Sequence, residues 1–205
     1  MPGLRSIGLS PRRDGLVYVP ESLSPGMAAP LVMLLHAAGG DARQMVPLLE
    51  VQADAHGIVL LAPDSRGRTW DVTLREYGPD VAFLDRALEQ VFARHAVDPE
   101  RLAIGGFSDG ASYALSLGLT NGTLFTHVLA FSPGFMAPTR TADSPRFFVS
   151  HGVADDVLPI ERTSRRVAPE LRRAGYEVEY REFLGGHVVP PEIVRAGVDW
   201  FLAGG

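Results

Sequence analysis

The chain alternates between short runs of apolar residues and longer segments whose apolar residues recur every three or four positions. A run such as Leu31–Leu35 is short and wholly apolar, which is typical of a strand buried on both faces. In the segment that begins at Pro79, by contrast, Val81, Leu84 and Leu88 fall on one face of a helix. Strands are therefore predicted over residues 4–9, 16–20, 31–35, 58–62, 101–105, 126–131, 146–150 and 177–183. Helices are predicted over residues 41–57, 79–98, 109 onward, 160–174 and 191–203.

Strands and helices follow one another in turn, with no repeat, linker or low-complexity segment between them. This order predicts a single α/β domain over residues 1–205, in which a mostly parallel sheet carries helices on both faces and the first two strands form a hairpin. Such sheets place functional side chains beyond the carboxyl ends of their strands. Ser108 and Asp155 directly follow predicted strands, and His187 follows one by a few residues.

The strand at 101–105 runs into Gly106-Phe107-Ser108-Asp109-Gly110, and a helical pattern follows at once. A serine on a tight strand-to-helix turn stands clear of the backbone, as in a nucleophile elbow, and the flanking glycines leave room for close packing. The motif is short enough to occur by chance in a chain with 22 glycines, where it would be a glycine-rich turn with a capping serine. Its place at the shared edge of the predicted strands favours the catalytic interpretation.

A serine needs a base to become nucleophilic, and the base needs an acid to orient it. In a turn of this kind the chain order is serine, acid, histidine. His187 follows the last predicted strand, which makes it the candidate base, whereas His151 precedes the candidate acids. Those acids are Asp155 and Asp156, which are adjacent and point in different directions, so only one of them can face His187.

Attack by the serine creates a negatively charged oxygen that needs two N–H donors. The backbone N–H of Asp109 is one candidate, because it opens the helix after the serine. The second should come from the loop after the strand at 31–35, where we prefer Ala38 and keep Ala37 as its neighbour. Taken alone, residues 36–40 would be a flexible turn before a helix.

Some apolar side chains lie in loops beyond strand ends and are candidate walls of a substrate pocket. These are Trp70 and the adjacent pair Phe135 and Met136. Packing beneath a long loop explains them equally well. Phe107, which precedes the serine, is expected to pack under the turn rather than contact substrate.

The charged residues indicate no polyanionic partner. The formal net charge is −5, and the 19 basic residues are all arginines scattered along the chain, so nucleic-acid binding is not expected. Arg66 and Arg68 are expected to be solvated, and Asp80 and Asp85 to be ordinary helix charges.

Composition and motifs further restrict the expected cellular location and the kinds of chemistry that the chain can perform. The chain contains no cysteine, which excludes disulfides and thiolate chemistry. No apolar run approaches the roughly 18 residues of a membrane span. The first residues lack the apolar core of a signal peptide, so a cytoplasmic location is expected. No metal-binding or nucleotide-binding motif is present, and we expect no cofactor and no metal.

Several segments together resemble the α/β-hydrolase superfamily, and more closely its small bacterial phospholipase/carboxylesterase group. They are also similar to polyhydroxybutyrate-depolymerase-like and feruloyl-type esterases, and they span most of the chain in the same order. The segments are Leu-Leu-His-Ala-Ala-Gly-Gly-Asp at 34–41, Pro-Asp-Ser-Arg-Gly at 63–67, Thr-Trp-Asp at 69–71, Asp-Pro-Glu-Arg at 98–101, Gly-Phe-Ser-Asp-Gly at 106–110, His-Gly-Val-Ala-Asp at 151–155 and Gly-Gly-His at 185–187.

The resemblance implies an α/β-hydrolase fold without a lid domain. It implies that Ser108 is the nucleophile, Asp155 the acid and His187 the base. It also places the oxyanion donors at Ala38 and Asp109.

The activity that the resemblance implies is hydrolysis of small carboxylic esters of short or medium acyl chain through an acyl-enzyme. The family usually has glycine where this chain has Ala37, and the extra methyl group would constrain the oxyanion loop or narrow the acyl pocket. A thioesterase or lysophospholipase with the same three side chains is the first alternative. A non-catalytic hydrolase-like domain that binds a ligand is the second. An exposed apolar edge would allow a homodimer.

Overall fold

Eight strands form one sheet in the computed structural model, which describes residues 2–24, 26–74, 77–141 and 144–203. The strand order is β1-β2-β4-β3-β5-β6-β7-β8, and the six strands from β3 to β8 run parallel. The hairpin β1–β2 is antiparallel and joins the sheet through an antiparallel pairing of β2 with β4. The strands are β1 (Gly3–Ser6), β2 (Gly15–Val19), β3 (Ala29–Leu35), β4 (Val59–Pro63), β5 (Val97–Phe107), β6 (His127–Phe131), β7 (Arg146–Gly152) and β8 (Val178–Phe183).

A helix follows each of β3, β4, β5, β7 and β8, as predicted. Asp41 caps the first helix through its carboxylate, and Gly57 ends that helix in the left-handed conformation. The helices are α1 (Ala42–His56), α2 (Pro79–Arg94), α3 (Asp109–Thr120), α4 (Ser164–Arg173) and α5 (Pro191–Ala203). Among the described residues, no helix has the length and apolar character needed to cross a membrane.

The predicted α/β architecture is confirmed, with differences at the ends of elements. β5 begins at Val97 rather than near residue 101, so α2 ends earlier than predicted, at Arg94. The segment predicted as one helix over 160–174 is a 3₁₀ turn, Ile160–Arg162, followed by α4. Periodicity does not detect such a break because both parts bury the same face.

Two apolar cores lie on opposite faces of the sheet, and the alternation of side chains along each strand supplies both. On β3, Leu31 and Met33 belong to the core that also contains residues of α2, α3 and α4, whereas Val32 and Leu34 belong to the core that contains residues of α1 and α5. All four side chains are at most 1% exposed. This double burial explains why the central strands are apolar throughout.

Two glycines beside Ser108 lie too close to neighbouring backbone for any side chain. A Cβ atom on Gly110 would lie 2.0 Å from the carbonyl oxygen of Leu35, and one on Gly106 would lie 2.6 Å from the same oxygen. The first turn of α3 therefore packs directly on the end of β3. This contact places Ser108 at the carboxyl edge of the sheet.

A buried pair of carboxylates corrects the prediction that Asp80 is an ordinary helix charge. Asp80 is 2% exposed and accepts hydrogen bonds from the N–H groups of Arg66 and Asp71. Asp71 in turn accepts from the N–H of Asp80 and from the hydroxyl of Tyr113. These bonds join the start of α2 to the loop before it and to α3, which sequence periodicity does not reveal.

Arg66 is likewise not solvated, because it lies half-buried over the ring of Phe83, 3.5 Å from the ring centroid. Its guanidinium also donates to the carbonyl groups of Arg13 and Asp64. Arg68 and Asp85 are exposed, as predicted.

We predict that Gly110→Ala lowers the free energy of unfolding by at least about 3 kcal/mol or prevents folding, because the clashing atoms are backbone and cannot turn aside. The matched control is Gly67→Ala, where the nearest atom to a new Cβ would be 3.5 Å away. Urea unfolding of both variants measures the effect. An unchanged midpoint for Gly110→Ala would contradict the close packing described here.

Candidate active site

Ser108 occupies the turn between β5 and α3 in a backbone conformation that L-residues rarely adopt. Its φ is 59° and its ψ is −119°. Such a conformation costs about 1–3 kcal/mol and persists where the surrounding structure holds it. Here the N–H of Ser108 donates to the carbonyl of Phe131, and the carbonyl of Ser108 accepts from the N–H of Ser112, both at 3.0 Å.

Three side chains from distant parts of the chain meet at this turn. Nε2 of His187 lies 2.9 Å from Oγ of Ser108, and Nδ1 of His187 lies 2.6 Å from Oδ2 of Asp155. The carboxylate can only accept, so we assign the hydrogen of the neutral ring to Nδ1, which leaves Nε2 to accept from the hydroxyl. The result is a continuous hydrogen-bonded chain from carboxylate to hydroxyl, which allows a serine to lose its proton as it attacks.

Asp155 is held by donors on both of its oxygens. Oδ1 accepts from the N–H groups of Val157 and Leu158, at 3.0 and 2.8 Å, and Oδ2 faces His187. Burial alone would raise the pKa of Asp155, but the N–H of Leu158 and the imidazole of His187 outweigh it, so the pKa is lowered. Asp155 is 6% exposed, whereas the neighbouring Asp156 is exposed to solvent. The carboxylate that meets His187 is therefore that of Asp155.

A second histidine, His151, reaches the same carboxylate from the core. Its Nε2 lies 3.1 Å from Oδ2 of Asp155 and 2.8 Å from the carbonyl oxygen of Leu158. Both oxygens accept, so Nε2 carries the hydrogen and Nδ1 accepts from the hydroxyl of Ser164, 2.7 Å away. Burial lowers the pKa of His151 and keeps the ring neutral. The chain order of serine, acid and histidine does not predict this contact of His151. The sequence feature that points to it is the short spacing of four residues between His151 and Asp155.

The N–H groups of the two predicted oxyanion donors are free to bind. Among the hydrogen bonds of the described residues, none has the N–H of Ala38 or Asp109 as its donor. Asp109 opens α3, and the first N–H groups of a helix have no partner within it. The carbonyl of Ala37 accepts from Gly40 and from Nδ1 of His36, at 3.0 and 2.7 Å. Because the peptide is trans, these bonds turn the N–H of Ala38 to the opposite side.

His36 performs this orientation as a neutral ring. Its Nε2 accepts from the N–H of Ser65 at 3.0 Å and lies 3.2 Å from the guanidinium of Arg13. Burial and the charge of Arg13 lower the pKa of His36, although the hydrogen bond to Ala37 opposes them. The hydrogen on Nδ1 therefore stays directed at the carbonyl of Ala37.

The segment 68–70 connects the two halves of the predicted oxyanion site, because it is hydrogen-bonded to the loop after β3 and to the start of α3. Its hydrogen bonds run from the N–H of Gly39 to the carbonyl of Arg68 (2.7 Å), from the hydroxyl of Thr69 to the carboxylate of Asp109 (2.8 Å) and from the indole of Trp70 to the carbonyl of His36 (2.8 Å).

Trp70 supports this segment from below. Its side chain is 0% exposed, stacks on Tyr113 at 5.3 Å between ring centroids and lies 4.7 Å from the ring of His36. The indole does not reach a pocket surface, which corrects its predicted place in a pocket wall. An indole gains stabilisation when it packs on other aromatic rings in the core, which explains why Trp70 points inward from this loop.

The predictions for the other apolar side chains near the site have different outcomes. Phe135 and Met136 are half-buried and pack against the core that contains α3, and their role in a substrate pocket stays a prediction. Phe107 is also half-buried, but its ring lies 4.6 Å from the ring of His187. It therefore packs beside the imidazole as well as against the core that contains α1 and α5.

Comparison with known proteins identifies the family. Residues 81–200 match the model of the phospholipase/carboxylesterase family, and this span contains Ser108, Asp155 and His187. The chain belongs to the phospholipase/carboxylesterase family. Feruloyl esterase C of Emericella nidulans is 28% identical over 157 residues, which cover 73% of this chain and 57% of the relative. Acyl-protein thioesterase 1 of Gibberella zeae is 31% identical over 104 residues, which cover 46% of this chain and 44% of the relative.

The chain thus spans about half the length of these curated relatives. Among solved structures, esterase PE8 aligns with a TM-score of 0.76 at 24% sequence identity. The alignment covers 93% of this chain and 98% of the chain of esterase PE8. At this identity the likeness concerns the fold, and it confirms the α/β-hydrolase architecture predicted from the sequence.

We predict that His151→Leu slows modification of Ser108 by a fluorophosphonate about tenfold or more, because a hydrogen bond to a charged group is worth roughly 1.5–3 kcal/mol. His151→Gln keeps an N–H donor near Asp155 and should react at a rate closer to the original. In the leucine variant the pKa of Asp155 should rise, since its ionised form loses a hydrogen-bond donor. Three equal rates would rule out a role for His151 in holding Asp155.

Proposed function

We propose that this chain is a serine esterase that hydrolyses carboxylic esters of short or medium acyl chain. The observation that carries the proposal is the hydrogen-bonded chain of 2.9 and 2.6 Å that links Ser108 to Asp155 through His187. The N–H groups of Ala38 and Asp109, which donate to no group among the described residues, support the same chemistry, because acyl transfer develops a negatively charged oxygen that needs such donors. The activity named for feruloyl esterase C supports an oxygen ester as the substrate.

In the first half of the reaction, Oγ of Ser108 attacks the carbonyl carbon while its proton passes to Nε2 of His187. The carbonyl oxygen becomes an oxyanion and accepts hydrogen bonds from the N–H groups of Ala38 and Asp109. The bond from carbon to the leaving oxygen then breaks, and His187 returns the proton to that oxygen. An alcohol leaves, and the acyl group stays on Ser108 as an ester.

In the second half, a water molecule takes the place of the alcohol. His187 accepts a proton from the water as it attacks the acyl carbon, and Ser108 is then released with that proton while the carboxylic acid leaves. Asp155 stays ionised throughout and stabilises the imidazolium that forms in each half.

We predict that Ser108→Ala lowers kcat for p-nitrophenyl butyrate by a factor on the order of 10³ or more, because the variant cannot form an acyl-enzyme. Ser22→Ala, at an exposed site in the β2–β3 connection, is the control and should keep full activity. Mass spectrometry should place a fluorophosphonate label on Ser108 of the unmodified chain. Retained activity in Ser108→Ala would disprove the assignment.

We predict that Asp155→Asn lowers kcat strongly and that Asp156→Asn leaves it almost unchanged. Replacing Asp155 with an amide removes the charge that stabilises the imidazolium and allows the ring to adopt the wrong tautomer, so kcat should fall by about 10²–10⁴. Asp156 lies one residue away and is exposed, so its variant should stay within about twofold of the original. Equal effects at the two positions would contradict the role of Asp155.

A thioester is the second candidate substrate, because an acyl-protein thioesterase is among the relatives and the same side chains would cleave a thioester. Comparing kcat/KM for an acyl-CoA with that for an oxygen ester of the same acyl chain distinguishes the two. A non-catalytic binding domain would give neither turnover nor a fluorophosphonate label. The cytoplasmic location and the homodimer stay predictions.

A further inference from the structure

An apolar cavity of about 320 Å³ opens beside the ring of His187, between α1 and the loop that follows β8. Met45 and Leu48 form its wall on α1, and Phe107 lies on the side of the strand that leads to Ser108. Val188 continues the wall from His187 and is 52% exposed, although it is apolar. A cavity of roughly 150 Å³ is enough for a benzene ring, so this one holds a ring or a chain of several carbons.

The position of the cavity beside His187 determines which part of an ester can bind in it. In the proposed reaction the carbonyl oxygen points to the N–H groups of Ala38 and Asp109, and His187 must protonate the leaving oxygen. That oxygen has to lie within hydrogen-bonding distance of Nε2, on the side of the carbonyl carbon that faces the imidazole. The group attached to it therefore starts beside His187, where the cavity opens.

The lining restricts the chemistry of the occupant. Its remaining described residues are Ala37, Gln44 and Val189, so no ionised carboxylate, guanidinium or ammonium group lies among the described residues that line the cavity. Gln44 is exposed and can hydrogen-bond a polar atom at the outer end of the occupant. Burying a charged group here would leave it without a partner, at a high free-energy cost.

We propose that this cavity binds the alcohol part of the ester, and that the preferred alcohols are uncharged and apolar, aromatic or alkyl groups of about six carbons. The inference rests on the proposed esterase function and adds the identity of the leaving group. It places substrate selection on α1 and on the loop after β8, elements that the motifs around Ser108 do not include.

Two ester series test the proposal. One holds the acid constant as acetate and varies the alcohol from methyl to butyl, hexyl and benzyl. The other holds the alcohol constant as methyl and varies the acid over matched sizes. The parameter to compare is kcat/KM, because it includes the step in which the alcohol leaves. Each buried CH₂ of the alcohol should raise kcat/KM by up to about fourfold until the cavity is full.

The variants Leu48→Glu and Val188→Glu introduce a carboxylate into the cavity. In each we expect the ratio of kcat/KM for hexyl acetate to that for methyl acetate to fall at least tenfold, with a smaller change across the acid series. Val188 is half exposed, so a glutamate there should not prevent folding. The Val188 variant therefore keeps the test valid if Leu48→Glu fails to fold. Val51→Glu is the matched control, because Val51 lies on α1, is 74% exposed and is outside the cavity lining; the ratio should stay as in the original chain.

A larger fall across the acid series, or the same ratio in all three variants, would overturn the proposal. These results remain distinct from a failure of the proposed function. If the unmodified chain hydrolyses no ester and takes no fluorophosphonate label, the esterase assignment itself is wrong. If it hydrolyses esters without the expected change in ratio, only the alcohol cavity is refuted.

Discussion

The whole site depends on one backbone contact, the packing of the first turn of α3 against the carbonyl end of β3. Gly106 and Gly110 have no space for a Cβ atom beside Leu35, so the strand, the turn and the helix meet at the closest distance that a polypeptide allows. That contact helps to hold the unusual backbone conformation of Ser108 and places the start of α3 next to the loop that follows β3. Both halves of the predicted oxyanion site therefore lie at the same edge of the sheet.

Buried polar groups then fix the loop that supplies the second half of that site. His36 holds the carbonyl of Ala37, Trp70 holds the carbonyl of His36, and the carboxylate of Asp71 accepts from the hydroxyl of Tyr113 beneath the indole. Burial strongly raises the pKa of Tyr113, and its hydrogen bond to Asp71 acts in the same direction, so the hydroxyl remains a donor. A satisfied network of this kind is rigid because breaking any one bond leaves a buried polar group unpaired.

The carboxylate of Asp155 shows the same principle on the other side of Ser108. Its oxygens meet two backbone N–H groups and two imidazoles, and His151 is in turn held by Ser164 at the start of α4. His187 is thus held, through Asp155, by groups from β7, from the loop after β7 and from α4. Rigid support of this type keeps reacting groups aligned without reorganisation during the reaction.

The sequence by itself determined the order of strands and helices, the turn around Ser108 and the choice of His187 as the partner, because these follow from local periodicity, glycine spacing and chain order. The family resemblance already favoured Asp155 over Asp156, and the tertiary structure places Asp155 against His187. The tertiary structure alone decided that Trp70 is buried beneath a loop, that Asp80 is paired inside the fold and that Phe107 packs on the imidazole. The direction of a side chain in a loop depends on contacts with residues far away in the chain. Periodicity reports only which neighbours along the chain share a face, so it carries no information about those contacts.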